Sequence, residues 1–341
     1  MSYHFSHTPF PGHEQEILDI LHRNRDEVFS LEYLQWRYLG EQTEKPPVVF
    51  WVQNDTGKKI GICSLIFRKY WIDNEPQLVA VAGDTSLDAS YRGQGIAKRL
   101  FNYMNTCLND SGCPYALALA NESFGRAATA AGWVIDQAMV PFVYVLDWKH
   151  FLARFLPNRF LANGAGALLN AVTRRHHFLK EPNGFTCSDR TTIDPKVDLL
   201  WKSFDKKNLL IKDRSLPTLE WRYTSIHQGK YAFFHVYRNA SLCGCIVYSL
   251  IKSVCYISDV LVSANEILNP CFSQFCKHLI SLENIGTIRI TMNYNHPFAV
   301  FLRRSGFVAR QADAQFVLRE TVQKEAYNRR ENYILIGDKD I

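Results

Sequence analysis

The feature that most constrains the fold of this chain is an internal repeat. The segment SLEYLQWRY at residues 30–38 returns as SLPTLEWRY at 215–223, with six of nine positions identical. After each copy come an apolar strand-like run, a polar turn, a second strand entered through glycine, and an aspartate. Later, Asn, Phe and Gly recur at matching offsets in NESFGRAATAAGW from Asn121 and NHPFAVFLRRSGF from Asn295. A chain of 341 residues with this repeat is predicted to contain two homologous units.

The order of patterns within each copy predicts the fold class. Each copy has a helical pattern, antiparallel strands, then a strand, a helix, a strand, a helix and closing strands. This alternation predicts an α+β fold in which helices flank a mixed, mostly antiparallel sheet. We expect the first unit at residues 1–148, a helical linker at 149–182 and the second unit at 183–341.

The glycine-rich stretch YRGQGIAKRL at residues 91–100 is the strongest indication of chemistry. It follows the strand-like run QLVAVAGDTSLD and precedes apolar residues at helical spacing, so it joins a strand to a helix N-terminus. Unpaired amides at such a terminus bind anions, and glycine lets a phosphate approach the backbone closely. Arg92 and Lys98 add positive charge. The stretch is predicted to cradle a diphosphate, while the alternative is an ordinary strand-to-helix turn.

The pattern Arg-x-x-Gly-x-Ala, formed by Arg92, Gly95 and Ala97, resembles the pyrophosphate loop of the GNAT superfamily of coenzyme A-dependent N-acyltransferases. The surrounding run DTSLDASYRGQGIA and the segment NESFGRAATAAGW resemble the family's neighbouring motifs. The two-unit arrangement is similar to that of tandem GNAT enzymes such as mycothiol synthase. The resemblance implies an N-acetyltransferase that moves an acetyl group from acetyl-CoA to an amine of a small molecule or saccharide precursor.

The resemblance also implies which residues hold the donor. Loop amides would bind the pyrophosphate of acetyl-CoA, and the preceding strand would pair with the pantetheine arm where it splays from the next strand at a bulge. The implied pyrophosphate contacts are Arg92, Gly93, Gln94, Gly95, Ile96, Ala97 and Lys98. The implied pantetheine contacts are Ser86, Leu87 and Asn121, the last of which could instead contact the acceptor. No metal site is expected, because Cys243 and Cys245 have no partners that complete a zinc set.

The catalytic groups depart from the family pattern. The family's usual general acid is a tyrosine seven residues after the Asn, and this position is Ala128 here. Tyr144, in a closing strand, is the substitute candidate. Asp84, eight residues before Arg92, is the candidate base, and the alternative is a carboxylate that only pairs with Arg92. The other carboxylates considered as bases are Asp88 and Glu122.

The second copy of the repeat has lost the loop. Its equivalent, SANEILNPCF at 263–272, contains neither glycine nor arginine, and Pro270 stands where close backbone approach is required. Leu302 occupies the tyrosine position. The second unit is therefore expected to bind no coenzyme and to support the first unit, forming one wall of the acceptor pocket.

The segment between the copies is basic and partly apolar. Residues 148–180 contain no Asp or Glu. One interpretation is peripheral contact with an anionic membrane, and the preferred one is a helical linker packed against the tandem core. The apolar residues are Phe151, Leu152, Phe155, Leu156 and Leu161, and the basic ones are Lys149, Arg154, Arg159, Arg174, Arg175 and Lys180.

Composition bounds the location and the partners. The N-terminus lacks the features of a secretory signal and no apolar run is long enough to span a bilayer, so we expect a cytoplasmic protein, peripheral to the inner face of the membrane if the linker binds lipid. A net charge of +6 suits an anionic cofactor but is far from a nucleic-acid signature. The expected partner is a small amine. The alternatives are an acyl carrier protein as donor, or a non-catalytic binding module.

Overall fold

The first repeat forms an alternating series of helices and strands. The computed structural model describes residues 2–41, 43–173, 184–225, 230–282, 284–321 and 331–338. The elements of the first repeat are β1 (His4–Pro9), α1 (Glu14–Asn24), α2 (Leu31–Leu39), β2 (Val48–Gln53), β3 (Lys59–Ile72), β4 (Glu75–Leu87), α3 (Ile96–Asn109), β5 (Tyr115–Ala120), α4 (Glu122–Ala130) and β6 (Val134–Val145).

Two linker helices and the second repeat follow. The linker helices are α5 (Trp148–Leu152) and α6 (Arg159–Thr173). The elements of the second repeat are β7 (Phe185–Arg190), α7 (Val197–Ser203), β8 (Leu209–Lys212), α8 (Leu216–Tyr223), β9 (Ala232–Arg238), β10 (Ser241–Ile251), β11 (Val254–Val262), α9 (Leu268–Ser281), β12 (Thr287–Asn293), α10 (Ala299–Arg304), β13 (Val308–Ala309), β14 (Ala314–Glu320) and β15 (Glu331–Tyr333).

The repeated sequence motifs form equivalent elements. SLEYLQWRY forms α2 and SLPTLEWRY forms α8, each after a serine at the N-cap. The Ser30 hydroxyl accepts a hydrogen bond from the Tyr33 amide at 3.0 Å, which satisfies one of the free amides of the first turn of α2. The strands and helices that follow keep the same order in both repeats. The predicted α+β class with two tandem units is confirmed.

The fifteen strands of the described residues form one sheet. Its main path is β1-β2-β3-β4-β5-β14-β6-β12-β11-β10-β9-β7. Neighbours along this path are antiparallel, except for the parallel pairs β4–β5 and β11–β12. The order of the strands is symmetric. When each strand is replaced by its equivalent in the other repeat, the same path results in reverse. An approximate two-fold axis therefore passes between β14 and β6.

The last strand of each repeat is exchanged between the units. β14, from the second repeat, pairs with β5 along its whole length, Tyr115–Ala120. β6, from the first repeat, pairs with β12 from Thr287 to Asn293. Each unit is thus completed by a strand from the other, a feature that the predicted boundaries at residues 148 and 183 do not capture.

Two equivalent tryptophans meet beside the approximate axis. Trp36 of α2 and Trp221 of α8 stack with their ring centroids 5.4 Å apart, and both are buried. Trp36 Nε1 donates to the main-chain oxygen of Trp221 at 2.8 Å, and Trp221 Nε1 donates to that of Trp36 at 3.0 Å. The contact buries both rings and gives each indole N–H an acceptor. The repeat of the Trp-Arg-Tyr motif is thereby explained in part by the interface between the units.

We expect the substitution Gly40→Ala to destabilise this interface. A methyl group on Gly40 would overlap the Trp221 indole and the main-chain oxygen of Trp36. The free energy of unfolding should fall by about 2 kcal/mol, within the usual range for overpacking. The measurement is urea denaturation. The control is Gly164→Ala, because an added Cβ at this helical position meets no atom within 4 Å, and it should be neutral or raise stability by up to about 1 kcal/mol. Equal unfolding midpoints for the two variants would contradict the prediction.

Candidate functional site

A gap opens between β4 and β5 in the first unit. The two strands pair only at Ala80 with Ala116 and Val81 with Leu117. The register of β3 against β4 shifts between Ile62 and Ser64, which leaves Asp84 and Thr85 as a bulge in β4. Asp84 has a φ of +48°, which is uncommon for a residue other than glycine. The bulge and the separation of the strands agree with the splay that the resemblance implied.

A cavity of about 990 Å³ occupies this gap and extends to the start of α3 and the end of α1. One wall comes from β4 and the loop before α3, and the opposite wall comes from β5 and α4. The residues between α1 and α2 line one end. Its charged lining residues are Arg25, Asp26, Glu27, Arg37, Asp84, Arg92, Lys98, Arg126 and Asp338.

The glycine loop gives one end of the cavity the character of an anion site. Gly93 and Gly95 have φ of +78° and +73°, the left-handed region that favours glycine. Gly95 is the N-cap of α3, so no side chain caps the first turn and its amides stay available. A Cβ added to either glycine would meet no atom within 4 Å. The backbone is therefore accessible at the position where the helix dipole favours negative charge.

Basic side chains lie beside this loop. Arg92 Nε donates to the Leu87 main-chain oxygen at 2.9 Å, and Arg92 Nη2 donates to Asn24 Oδ1 at 3.2 Å. These bonds hold the guanidinium between the end of β4 and the end of α1. Lys98 also lines the cavity, and so does Arg126, which forms an exposed pair with Glu122 at 2.7 Å.

Asp84 forms a buried ionic cluster on the cavity wall. Its carboxylate is 1% exposed and lies 3.4 Å from Arg25 Nη1 and 3.3 Å from Arg37 Nε. Tyr38 donates its hydroxyl to Asp84 Oδ2 at 2.9 Å. Of the two roles considered for Asp84, these contacts favour ion pairing, but with Arg25 and Arg37 in place of Arg92. The nearby Asp88 pairs instead with Arg23, at 3.3 Å.

The aromatic and cationic groups around Asp84 were not predicted as site residues. Arg37 Nη1 donates to the Tyr33 hydroxyl at 3.0 Å, and both residues line the cavity. A Cβ on Gly83 would lie 2.8 Å from Arg37 Nη2, so glycine at this position leaves room for the guanidinium. The repeated Trp-Arg-Tyr motif was the available indication for Arg37 and Tyr38. Nothing in the sequence pattern pointed to Arg25.

Two groups beside the bulge are held in their neutral forms. Burial, followed by the charge of Asp84, raises the pKa of Tyr38 well above its usual value, so the phenol remains a donor to the carboxylate. Burial also raises the pKa of Cys63 to about 12. The Cys63 thiol accepts a hydrogen bond from the Thr85 hydroxyl at 3.1 Å. A thiol that stays protonated near neutral pH is a poor nucleophile.

Of the twelve residues predicted for the site, ten line the cavity and two do not. Tyr144 of β6 pairs with Ile288 of β12 and packs on Phe307 with ring centroids 5.2 Å apart, because the strand exchange carries β6 into the second unit. The Gln94 side chain accepts from the Tyr3 hydroxyl at 2.6 Å and is absent from the cavity lining. The predicted residues that do line it are Asp84, Ser86, Leu87, Arg92, Gly93, Gly95, Ile96, Ala97, Lys98 and Asn121.

Asn121 and Ala128 occupy the family's motif positions on α4. Asn121 is the N-cap of α4, and its Oδ1 accepts from the Phe124 amide at 2.9 Å. This bond fixes the Asn121 side chain at the end of β5, on the cavity wall. Ala128 is fully buried on α4. The position of the family's tyrosine therefore carries no hydroxyl.

The equivalent gap in the second unit contains the segment 331–338. β11 and β12 pair from Val254 to Ile257 and then separate, and a bulge recurs at Ser258, directly before Asp259. Beyond the separation, the Tyr333 hydroxyl donates to the Val260 main-chain oxygen at 2.5 Å. The Ile334 amide donates to Asn293 Oδ1, at the end of β12, at 3.1 Å. The C-terminal segment 331–338 thus contacts both separated strands.

Buried ion pairs complete the filling of this second gap. Arg214 is fully buried and its Nε lies 2.8 Å from Asp259 Oδ1. Asp338 lies 3.1 Å from Arg214 and 3.2 Å from Arg222, the equivalent of Arg37. Asp338 also lines the cavity of the first unit, so one residue of the second repeat reaches it.

Comparison with known proteins finds one sequence family that matches the first unit. A sequence model described as the Acetyltransferase (GNAT) family matches residues 15–131, which include the gap, the glycine loop and the start of α4. The implied resemblance of the first unit is thereby confirmed. No curated protein matches the sequence significantly.

Solved structures share the fold over nearly the whole chain. A GCN5-related N-acetyltransferase from Anabaena variabilis has a TM-score of 0.67 at 12% identity, over 94% of this chain and 73% of that one. A probable N-acyltransferase from Enterococcus faecalis has a TM-score of 0.66 at 10% identity, with the same coverage. A tandem GNAT protein from the clavulanic acid biosynthesis pathway has a TM-score of 0.50 at 12% identity, over 95% of this chain and 100% of that one. At these identities the likeness shows the fold alone.

We expect Asp84→Asn to destabilise the protein strongly, because it leaves two guanidinium groups without their buried carboxylate. The free energy of unfolding should fall by about 3 kcal/mol. The matched control is Asp88→Asn, whose pair with Arg23 is more exposed and should be worth about 1 kcal/mol or less. Thermal and urea unfolding of both variants give the comparison. An Asp84→Asn variant as stable as the wild type would show that the cluster is not structural.

Proposed function

Because residues 15–131 form a GNAT acetyltransferase unit, we propose that its cavity binds acetyl-CoA and transfers the acetyl group to an amine of a small molecule or saccharide precursor. The observation that carries the proposal is the open glycine loop at the N-terminus of α3, which lies at one end of a cavity between two separated strands. From the residues that line the two ends of the cavity, we infer which end binds acetyl-CoA and which end binds the amine.

The donor occupies the end of the cavity at the glycine loop. The amides from Gly93 to Lys98 face the pyrophosphate, and Arg92 and Lys98 supply positive charge. Ser86 and Leu87 at the end of β4 offer backbone groups to the pantetheine arm, since β5 has separated from β4 at this level. The thioester then lies near the bulge, where the strands part.

The acceptor enters at the other end, between α1 and α2. This end is lined by Phe29 and Tyr33, and by the exposed carboxylates of Asp26 and Glu27. Carboxylates attract the protonated form of an amine, and aromatic faces favour cations. The proposed acceptor is therefore an amine that is cationic in solution and that loses its proton to solvent before attack.

The proposed reaction is direct transfer. The neutral amine attacks the thioester carbonyl carbon, and a C–N bond forms as the C–S bond breaks. The new amide nitrogen loses one proton to solvent, and coenzyme A leaves as a thiolate that takes one proton. Tyr33, whose hydroxyl accepts from Arg37, is the proposed donor of that proton in place of the missing family tyrosine. Asp84 is proposed to position Arg25 and Arg37. A protonated Cys63 argues against an acyl-enzyme intermediate.

We expect calorimetric titration with acetyl-CoA to detect one site per chain, because the equivalent gap in the second unit is filled by the C-terminal segment. Gly95→Glu should weaken binding at least about 100-fold, equivalent to about 2.7 kcal/mol, since it places bulk and negative charge in the cradle. The control is Gly57→Glu, a glycine with a φ of +79° and open surroundings in the turn before β3. It should bind normally.

The same titration separates the alternatives. Absence of binding to the wild type, with a normally folded protein, would favour an acyl carrier protein as donor or a non-catalytic binding module. Titration with an acyl carrier protein then distinguishes these two. Two sites per chain would contradict the assignment of the second unit as a support.

For the acceptor end, we expect thiol release from acetyl-CoA in the presence of a cationic amine. Asp26→Asn combined with Glu27→Gln should raise the KM for the amine about threefold to tenfold, the range for exposed charge pairs, and leave the KM for acetyl-CoA unchanged. The control pair is Asp55→Asn with Glu75→Gln, two exposed carboxylates outside the cavity. A parallel rise in both KM values would place these carboxylates outside the acceptor end.

A further inference from the structure

Helix α6 exposes several of its large apolar side chains. Leu161, Leu168 and Val172 have exposed fractions of 64%, 69% and 56%. Their spacing of seven and four residues places them on one face of the helix. Phe160, at the start of the helix, is 89% exposed. A helix that packs into a domain normally shows the opposite pattern.

The inner face of α6 is built for close contact with α5. It carries Ala162 and Asn170, which are buried, and Gly166, where an added Cβ would lie 2.6 Å from the Lys149 backbone. Asn170 Oδ1 accepts from the Trp148 amide at 2.9 Å, and its Nδ2 donates to Asp147 at 2.8 Å. The small and polar residues therefore fix the orientation of α6 on α5. The outward direction of the leucines follows from this packing.

The two helices form a hairpin fastened to the second unit. The Leu146 and Asp147 amides both donate to the Gly286 main-chain oxygen, at 2.9 and 3.1 Å. Arg154, after α5, donates to the Ser253 hydroxyl. α5 thus packs on the second unit, as in the preferred expectation of a packed linker, whereas the outer face of α6 is exposed. The predicted basic residues Arg174, Arg175 and Lys180 lie outside the described residues.

The charge of the hairpin indicates what covers this face. From Trp148 to Lys180 the sequence contains no acidic residue, and the basic side chains of Lys149, Arg154 and Arg159 are exposed on the hairpin. An apolar helix face within a basic segment free of acidic residues is typical of helices that lie in the interface of anionic lipid. A two-fold contact between copies through this face would bring like charges together. No helix of the described residues is long and apolar enough to cross a bilayer.

We propose that α6 docks the protein on the surface of an anionic membrane, with Leu161, Leu168 and Val172 inserted among the acyl chains and basic residues facing the headgroups. This surface is separate from the cavity. Membrane docking does not depend on the acetyl transfer proposed above, so the two are tested independently.

The test is co-sedimentation of the full chain with vesicles. Phosphatidylcholine containing 30% phosphatidylglycerol is compared with phosphatidylcholine alone, at about 0.1 M salt, where exposed charges still interact over roughly 10 Å. We expect at least fivefold stronger partitioning to the anionic vesicles. Leu161→Ser combined with Leu168→Ser should lower this partitioning at least tenfold. The matched control is Leu199→Ser with Val300→Ser, which removes two side chains exposed to 68% and 54% on α7 and α10.

Several outcomes would overturn the proposal. These are wild-type protein that stays in the supernatant with anionic vesicles, an α6 variant that binds as well as wild type, and a control pair that loses binding equally. Sedimentation velocity provides a further criterion. A wild-type dimer that the α6 variant dissociates, without vesicle binding, would assign the face to a second copy. Normal acetyl-CoA binding and an unchanged melting temperature show that the α6 variant is folded.

Discussion

The exchange of the final strands is the constraint on which the site depends. β5 forms one side of the cavity, and its other edge is paired with β14 of the second repeat over all six residues. With that edge fully hydrogen-bonded, β5 is held in place while β4 turns away at its bulge, so the gap stays open without a bound ligand. The Trp36–Trp221 contact between α2 and α8 also holds the two units in their relative position. A second unit without a loop for coenzyme is therefore still required for the cavity of the first.

The two gaps show how one architecture can be kept open or filled. In both units an aspartate at the bulge, within it at Asp84 and directly after it at Asp259, accepts a hydrogen bond from the tyrosine of the repeated motif, Tyr38 or Tyr223. In the first unit the arginines that pair with Asp84 line a cavity. In the second, burial raises the pKa of Asp259, and the buried Arg214 compensates its charge. A buried ion pair of this kind is stable only when every buried charge has a partner. Asp338 provides the second carboxylate for Arg214.

Local features of the site were predictable from the sequence, and features that depend on tertiary contacts were not. The positive φ of Gly93 and Gly95 and their place before α3 follow from residue type and helical spacing. Arg25 and Tyr33 reach the cavity only because α1 and α2 pack over the bulge, and no motif records this. Tyr144 was assigned to the site on the assumption that β6 completes its own unit. The exchange, which depends on which edges pair, moves it beside β12.

The exchange also explains why a linker is needed, but not why it is apolar. β6 ends beside β12, whereas β7, the next strand, lies at the far edge of the sheet, five strand spacings from β6. At roughly 4.8 Å per spacing this is about 24 Å. A helix of 15 residues covers about 22 Å, so α6 provides most of the length for the crossing. A polar helix would serve this purpose equally well and would avoid exposed leucines. The folding of the chain therefore does not explain the outward apolar face of α6. Contact with a membrane surface does.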